Sequence, residues 1–249
     1  NGGSDTNILV RFDVPNKRID LVSLPRDTLL HNEYRNNKLN FAYAKGGTEL
    51  LMEQIENLLG IPVDFYVTVN LKGFIALVDQ IDGVDFDIPI NMDYDDPYQD
   101  LHIHFTKGPR HLNGQEAMEV VRFRHNNDGT GYGTEDIGRI GTQQAFLKAV
   151  AKQLLQIGNV KNIPALVDIF YTYVKTDLTT GNLVWLGNEA LNIGTENIHF
   201  ATLPGDGSGY YNKQSVYVLD AQATCDLVNE ALNPYNEALT LEDMDILVP

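Results

Sequence analysis

The sequence of 249 residues is poor in cysteine and in positive charge. Its single cysteine, Cys225, excludes an internal disulfide and any metal site built from several cysteines, and its apolar neighbours predict a buried packing role. Lysine and arginine total 18 against 34 acidic residues, which gives a net charge of −16. A surface this negative repels phosphate backbones, which argues against nucleic acid as the main partner.

Long apolar runs are also missing. No window approaches the roughly 18 consecutive apolar residues that a membrane-spanning helix requires. No positively charged leader precedes an apolar stretch at the start. We therefore expect the chain as given to behave as a soluble fragment.

Arginine is absent from the last 110 residues, since all eight arginines lie at or before Arg139. Three of them fall within 18 positions, in a segment from Arg122 to Gln144 that reads RFRHNNDGTGYGTEDIGRIGTQQ. Guanidinium groups bind phosphate or carboxylate bidentately, so this concentration in an acidic protein indicates a local anion site. The alternative is a set of surface ion pairs with nearby acids, which contribute little to stability.

The order of β-prone and helix-prone runs predicts an α/β protein, with a layered α-β-α arrangement around a central mixed sheet. We expect a single domain, with a catalytic core over residues 1–160 and residues 161–249 as its C-terminal part or a helical extension. The first half predicts a hairpin of residues 7–13 and 18–24, a helix from Thr48 to Leu59, a strand over 64–70, a helix over 71–81 and a strand over 84–88. The second half predicts helices from Asn113 towards Phe123, from near Asp136 to about Gln156, after Pro164, over 185–191 and over 220–232, with a strand over 198–203.

Three polar residues, Asp136, Arg139 and Gln143, are spaced i, i+3, i+7 and therefore share one face of the predicted helix. The N-terminal end of a helix offers N–H groups and partial positive charge to an anion. Asp136 is ambiguous, because an aspartate at this position also serves as a helix cap.

Arg122 and Arg124 share a face only if the chain is extended between them, so joint binding of one ligand predicts that the helix ends before Arg124. Asp5 immediately precedes the first strand of the hairpin and Arg26 immediately follows the second. The two ends of a hairpin lie side by side, so we expect these residues to be neighbours. Aspartate beside arginines suits a phosphate bridged by Mg²⁺.

Several shorter signals stay open. Lys38 is either a further phosphate contact or a solvated lysine, and Asp27 is interpreted as a turn residue. The aspartates at 93, 95 and 96 predict a solvated acidic loop rather than a calcium site, because an EF-hand glycine and terminal glutamate are missing. His102 and His104 alternate like one face of a strand, but without a third ligand at matching spacing we do not predict zinc.

Seven segments together resemble the LytR-CpsA-Psr family in order and spacing, and the match is good over residues 4–150. The segments are SDT at 4–6, SLPRDT at 23–28, NKLNFAYAKGG at 37–47, LLGIPVDFYVTVNLKGF at 58–74, KGPRHLNGQEA at 107–117, RFR at 122–124 and DIGRIGTQQ at 136–144.

The resemblance implies a membrane-anchored enzyme at the extracytoplasmic face of the bacterial membrane. Such an enzyme moves a glycopolymer from an undecaprenyl-pyrophosphate carrier to peptidoglycan and forms a phosphodiester bond. Carried over by position, the resemblance implies a Mg²⁺ ligand at Asp5, pyrophosphate binding by Arg26, Arg122, Arg124 and Arg139, and a site completed by Lys38, Asp136 and Gln143.

Two departures from the family pattern qualify these expectations. The family places an earlier strand with a second metal-binding aspartate, and an anchor helix, before SDT, and neither is in this sequence. We therefore expect the chain to be a trimmed ectodomain. Thr142 also stands where many relatives carry arginine, and one fewer cation there is expected to change ligand preference.

The hypothesis that follows is in-line phosphoryl transfer to a sugar hydroxyl, with Asp136 or Asp5 as the candidate general base. Two rivals remain at this point. A polyprenyl-pyrophosphate hydrolase would use the same residues with water as acceptor, and a non-catalytic module would only bind polyprenyl phosphate or cell-wall glycan.

Overall fold

The computed structural model describes residues 3–133, 135–156 and 170–248. Strands and helices are interspersed along the chain, which confirms the predicted α/β class. The elements are, in chain order, β1 (Asn7–Asp13), β2 (Arg18–Leu24), α1 (Leu39–Leu59), β3 (Val67–Val69), α2 (Leu71–Gln80), β4 (Val84–Ile88), β5 (Met92–Asp96), β6 (Leu101–Phe105), β7 (Gly108–Leu112), α3 (Gly114–Arg122), α4 (Glu135–Gln156), β8 (Val174–Thr176), α5 (Thr180–Ile193), β9 (Ile198–Thr202), β10 (Gly205–Tyr211), β11 (Gln214–Leu219) and α6 (Ala221–Ala231).

The chain divides into two compact units. Unit 1 comprises Asn1–Asp64 and Asn197–Pro249, and unit 2 comprises Phe65–Glu196. The expected division near residue 160 stays a prediction. Within the described residues, no helix is long and apolar enough to cross a membrane.

Unit 1 contains a mixed three-stranded sheet in the order β1-β2-β9. The predicted hairpin is confirmed, because β1 pairs antiparallel with β2 from Asn7 opposite Leu24 to Asp13 opposite Arg18. β9 then pairs parallel with β2. β10 and β11 form a separate hairpin in the same unit.

The core of unit 1 lies where β2 packs with α1 and α6. Its fully buried members include Leu58 and Leu59 of α1 and Val228 of α6, each at most 1% exposed. Cys225 is also buried here, at 4% exposed, with its Sγ 3.4 Å from the carbonyl oxygen of Leu239. The predicted packing role of this cysteine is therefore confirmed.

Helix α1 begins earlier than the sequence predicts. The expected start at Thr48 is wrong for the whole element, because α1 runs from Leu39. The helix is broken at Gly47, whose φ of 69° and ψ of −152° are not helical. Thr48 therefore starts only the second straight segment of α1. The first segment is hard to predict from the sequence because glycines at 46 and 47 disfavour a helix.

Unit 2 packs its helices against two-stranded sheets. β4 pairs with β7, β5 with β6 and β3 with β8, all antiparallel. Phe146 of α4, 1% exposed, contacts Phe74 and Phe86 at ring-centroid distances of 5.6 Å each. This aromatic group fixes α4 against α2 and β4.

Helix α3 has a side-chain cap at its N-terminal end and a sharp C-terminal end. The side chain of Asn113 accepts a hydrogen bond from the N–H of Glu116, and the Glu116 carboxylate accepts one from the N–H of Asn113. This reciprocal capping satisfies backbone donors at the start of the helix. The helix ends at Arg122, since Phe123 is extended at φ −58° and ψ 138°.

The expectation of an acidic loop at 93–96 is wrong, because these residues form strand β5. Pairing with β6 places the aspartates in a regular hairpin. The predicted strand face of His102 and His104 is confirmed, since both are exposed between buried Leu101, Ile103 and Phe105. The predicted helix after Pro164 begins outside the described residues.

Candidate active site

The first cluster of predicted site residues lies at the open end of the β1–β2 hairpin in unit 1. The register of the hairpin places the residues before Asn7 beside those after Leu24. Arg26 Nη1 lies 2.5 Å from Asp5 Oδ1, with the Asp5 side chain 79% exposed. The predicted proximity of Asp5 and Arg26 is therefore confirmed. So exposed a pair adds little to stability.

Asp27 links Arg26 to Lys38. Its Oδ1 lies 3.3 Å from Lys38 Nζ and 3.8 Å from Arg26 Nε. That Nε is buried and makes no hydrogen bond. Lys38 immediately precedes α1, whose second residue, Asn40, donates its N–H to the Arg26 carbonyl at 2.9 Å. The start of α1 thus positions both cations, and Asp27 does more than terminate a turn.

The second cluster lies at the C-terminal end of α3 in unit 2. Phe123 is 1% exposed and extended, so its ring enters the core, and it stands between Arg122, the last residue of α3, and Arg124. Arg122 Nη2 donates to Gln99 Oε1 at 2.7 Å. The predicted end of the helix before Arg124 is confirmed.

Helix α4 supplies the remaining predicted residues. Arg139 and Gln143 lie one turn apart on the helical face that the sequence predicts. Gln143 Nε2 donates to the carbonyl oxygen of Val121 at 3.1 Å, which brings α4 to the end of α3 beside Arg122. Arg139 is only 6% exposed. Burial of a guanidinium is costly unless it is paired, so its charge is held at a defined place. The side chain of Asp136 lies outside the described residues, and its role stays a prediction.

Tyr132 is a neighbour of the site that the sequence reasoning missed. Its hydroxyl oxygen lies 2.6 Å from Thr142 Oγ1, and Thr142 Oγ1 donates to the Gly138 carbonyl at 3.2 Å. Burial raises the pKa of the Tyr132 hydroxyl. Thr142 is 4% exposed. The only available signal was an aromatic residue inside a glycine-rich loop.

Each unit therefore assembles part of the predicted set. Unit 1 brings Asp5, Arg26 and Lys38 together, and unit 2 places Gln143 beside the end of α3 that carries Arg122. In unit 1 the two cations are balanced by the carboxylates of Asp5 and Asp27, whereas the arginines of the unit 2 cluster are a local excess of positive charge within a protein of net charge −16. Their guanidinium, ammonium and amide donors can bind the oxygens of a phosphate group. The catalytic and binding roles of these residues stay a prediction.

Comparison with known proteins gives two curated relatives. The chain is 32% identical over 231 residues to polyisoprenyl-teichoic acid–peptidoglycan teichoic acid transferase TagV of Bacillus subtilis, covering 90% of this chain and 57% of TagV. It is also 32% identical over 231 residues to the transferase TagU of Bacillus cereus, covering 92% of this chain and 72% of TagU. The chain thus spans little more than half of TagV.

The fold agrees with that of a solved relative. The crystal structure of B. subtilis TagV superposes with a TM-score of 0.78 at 28% identity, covering 99% of this chain and 91% of that one. A family model, described as the LytR_cpsA_psr family, matches residues 1–233. The fold and this match agree, and the chain belongs to the LytR_cpsA_psr family.

Proposed function

We propose that this protein transfers a glycopolymer from a polyprenyl-pyrophosphate carrier to peptidoglycan and forms a phosphodiester bond. The relatives TagV and TagU are named as teichoic acid transferases acting between a polyisoprenyl-linked polymer and peptidoglycan. We place the reaction at the extracytoplasmic face of the membrane, where peptidoglycan lies, with an N-terminal anchor as the membrane attachment.

The observation that carries the proposal is the Arg122-Phe123-Arg124 arrangement. Buried Phe123 anchors the segment, and the two arginines adjoin it directly along the chain. Because the buried ring of Phe123 fixes the backbone on which both arginines lie, their guanidinium groups can bind a diphosphate without the cost of ordering a loop first. A surface ion-pair role would not require the buried anchor.

The chemistry follows from where negative charge builds during phosphoryl transfer. The transferred phosphorus carries charge on its equatorial oxygens, while the leaving lipid phosphate gains charge as its bond breaks. In unit 2 we assign the arginines at 122, 124 and 139 to neutralising phosphate oxygens, with Gln143 as an additional donor. In unit 1 we assign phosphate binding to Arg26 and Lys38. Fixed cations of this kind stabilise the transition state because they need no reorganisation during the reaction.

Asp5 fits the role of a Mg²⁺ ligand. Its carboxylate is a hard oxygen donor, 79% exposed, and lies beside Arg26. Mg²⁺ commonly binds through one or two carboxylates together with substrate phosphates and water, so a single aspartate suffices when a phosphate is present. When bound, the ion would supply further positive charge to the phosphate oxygens.

The test is transfer from a short polyprenyl-pyrophosphate-linked sugar onto glycan fragments. We expect Arg122→Ala and Arg124→Ala each to lower kcat/KM by about a hundredfold or more, the scale seen when one charge-stabilising donor is lost. Arg110→Ala is the matched control. Arg110 is an exposed arginine of the same unit, paired with Glu116 at 2.6 Å, and its loss should leave transfer near the parent rate.

Leaving out the glycan acceptor separates the proposal from its rivals. A hydrolase would release lipid phosphate at the same rate whether or not the glycan acceptor is present. A binding module would show no turnover even when the acceptor is present. Full transfer activity in both arginine variants would overturn the assignment of these residues. Omission of Mg²⁺ should lower the rate, and Asp5→Asn should raise the Mg²⁺ concentration needed for half-maximal transfer.

A further inference from the structure

The outer face of the β5–β6 hairpin carries a compact cluster of imidazoles and carboxylates. The register places Asp93 directly opposite His104 and Asp95 directly opposite His102. Alternate side chains of a strand share one face, so these four lie together on the exposed side, while Met92, Leu101 and Ile103 are buried beneath them.

Three of these side chains converge on one point. The nearest potential ligand atoms of Asp95, His102 and His104 all lie within 4.8 Å of one another. Asp95 Oδ1 is 2.5 Å from His102 Nδ1 and 3.3 Å from His104 Nε2. All three side chains are about half exposed, so small rotations about their χ angles can open the space for an ion.

The second nitrogen of each imidazole faces its own carboxylate. His104 Nδ1 lies 2.8 Å from Asp93 Oδ1, and His102 Nε2 lies 3.6 Å from Asp100 Oδ1. Metal-binding histidines typically donate their remaining N–H to a carboxylate, which fixes the tautomer and increases the basicity of the ligand nitrogen. His104 has this support from Asp93, whereas the 3.6 Å between His102 Nε2 and Asp100 Oδ1 is too long for a hydrogen bond. The other nitrogen of each ring is directed towards Asp95.

The backbone beneath the cluster is held firmly. The edge of β5 that does not pair with β6 is hydrogen-bonded to the loop after α3. The N–H of Asp93 donates to Asn126 Oδ1 at 2.7 Å, and the N–H of Asp95 donates to Asn127 Oδ1 at 2.6 Å. An isolated two-stranded hairpin is marginally stable in water. These bonds, with the buried inner face, fix the strand positions from which the ligands project.

We propose that Asp95, His102 and His104 form a binding site for a divalent transition-metal ion of the zinc type, with Asp93 orienting the imidazole of His104. Two nitrogen ligands and one carboxylate suit Zn²⁺, at ligand distances of about 2.0–2.2 Å. Mg²⁺ and Ca²⁺ favour oxygen ligands only. A water molecule would complete the coordination, because the face is open to solvent.

The charge of the cluster supports the same conclusion. The Asp95 carboxylate lies 2.5 Å from His102 Nδ1 and the Asp93 carboxylate 2.8 Å from His104 Nδ1, and their negative charge favours a cation at this point. The ligands belong to β5 and β6 and include none of the arginines assigned to phosphate transfer.

The test uses the full chain without an affinity tag, freed of metal by a chelator and titrated with Zn²⁺ by calorimetry and with Co²⁺ by visible absorption. We expect one equivalent to bind, with the visible bands of a Co²⁺ ion bound to nitrogen. His102→Ala and His104→Ala should each weaken binding by about a hundredfold or more, and Asp93→Asn by about tenfold.

His111→Ala is the matched control. His111 is exposed to the same degree and paired with Asp85 at 2.7 Å, but it lies on β7, outside the cluster. The variant should bind Zn²⁺ like the parent. The proposal is overturned if the parent binds no equivalent, if His102→Ala and His104→Ala retain parental affinity, or if His111→Ala loses as much affinity as they do.

Discussion

At the scale of single residues, neighbouring side chains hold the charges of the candidate site in place. Phe123 enters the core of unit 2 and anchors the backbone that carries Arg122 and Arg124. In unit 1 the carboxylate of Asp27 holds Lys38 at 3.3 Å, beside Arg26. In both clusters the functional charge is positioned by a neighbour that carries no predicted catalytic role.

Asp13 provides a residue-scale prediction on pH. Its carboxylate accepts two hydrogen bonds from the Asn16 side chain, which lower its pKa, and it lies 3.0 Å from Arg11. A folded-state pKa below the unfolded value stabilises the protein above the unfolded pKa, and this stability is lost as pH falls through the folded pKa. We expect Asn16→Ala to lower the free energy of unfolding by about 1 kcal/mol at neutral pH.

The difference between Asn16→Ala and the parent should begin to shrink as the pH falls below about 3.9, the ordinary aspartate pKa, and should vanish below the lowered pKa of Asp13, where the carboxylate is protonated in both. Urea denaturation at neutral and acidic pH measures it. Asp13→Asn, which lacks the titrating group, is the control and should show a smaller loss of stability in acid than the parent does. A constant difference between parent and Asn16→Ala across the range would contradict the assignment.

At the scale of elements, Gly47 separates the two segments of α1. Its φ of 69° and ψ of −152° lie in a region that only glycine occupies readily, and a Cβ there would meet no atom within 4 Å. Gly47→Ala should therefore destabilise unit 1 by about 1–3 kcal/mol through backbone strain alone. Thermal and urea unfolding measure this loss.

Gly187→Ala is the matched control for Gly47. Gly187 lies inside helix α5, and a Cβ there also meets no atom within 4 Å. Alanine is favoured over glycine in a helix by about 1 kcal/mol, so this variant should be slightly more stable than the parent. Stabilisation by both substitutions would mean that α1 tolerates a continuous helix through residue 47.

The same scale explains what the sequence could predict of the fold. Helices α3 and α6 carry local signals, and both Asn113 and Asp220 cap them with side-chain hydrogen bonds. Strand β5 was mistaken for a loop because aspartate is rare in strands, and only pairing with β6 makes the segment extended. Strand β10, rich in glycine, likewise depends on its pairing with β11.

The candidate site also contains contacts that the local sequence predicts and contacts that depend on the fold. The contact of Asp5 with Arg26 follows from the register of one hairpin and could be predicted locally. The link from Asp27 to Lys38 could not, because it depends on where α1 begins. The third ligand of the imidazole cluster, Asp95, was missed for a related reason, since it lies across the hairpin from His102.

At the scale of the whole molecule, unit 2 is one continuous segment of chain, while unit 1 is built from two segments on either side of it. Each unit has a hydrophobic core of its own. The cationic side chains of the candidate site lie in both units of a protein of net charge −16. Folding and anion binding are therefore properties that each unit can be tested for separately.

We expect a fragment of residues 65–196 to fold by itself, because its core is filled by its own residues, among them Phe86, Phe123 and Phe146. A fragment of residues 1–64 is the contrasting case. It lacks β9 and α6, which supply β2 with its parallel partner and α1 with much of its core, and should stay unfolded. Circular dichroism and urea unfolding distinguish the two, since a folded fragment unfolds cooperatively. A disordered 65–196 fragment would mean that its core requires unit 1 to form, and the two units would then be one cooperative folding unit despite their separate cores.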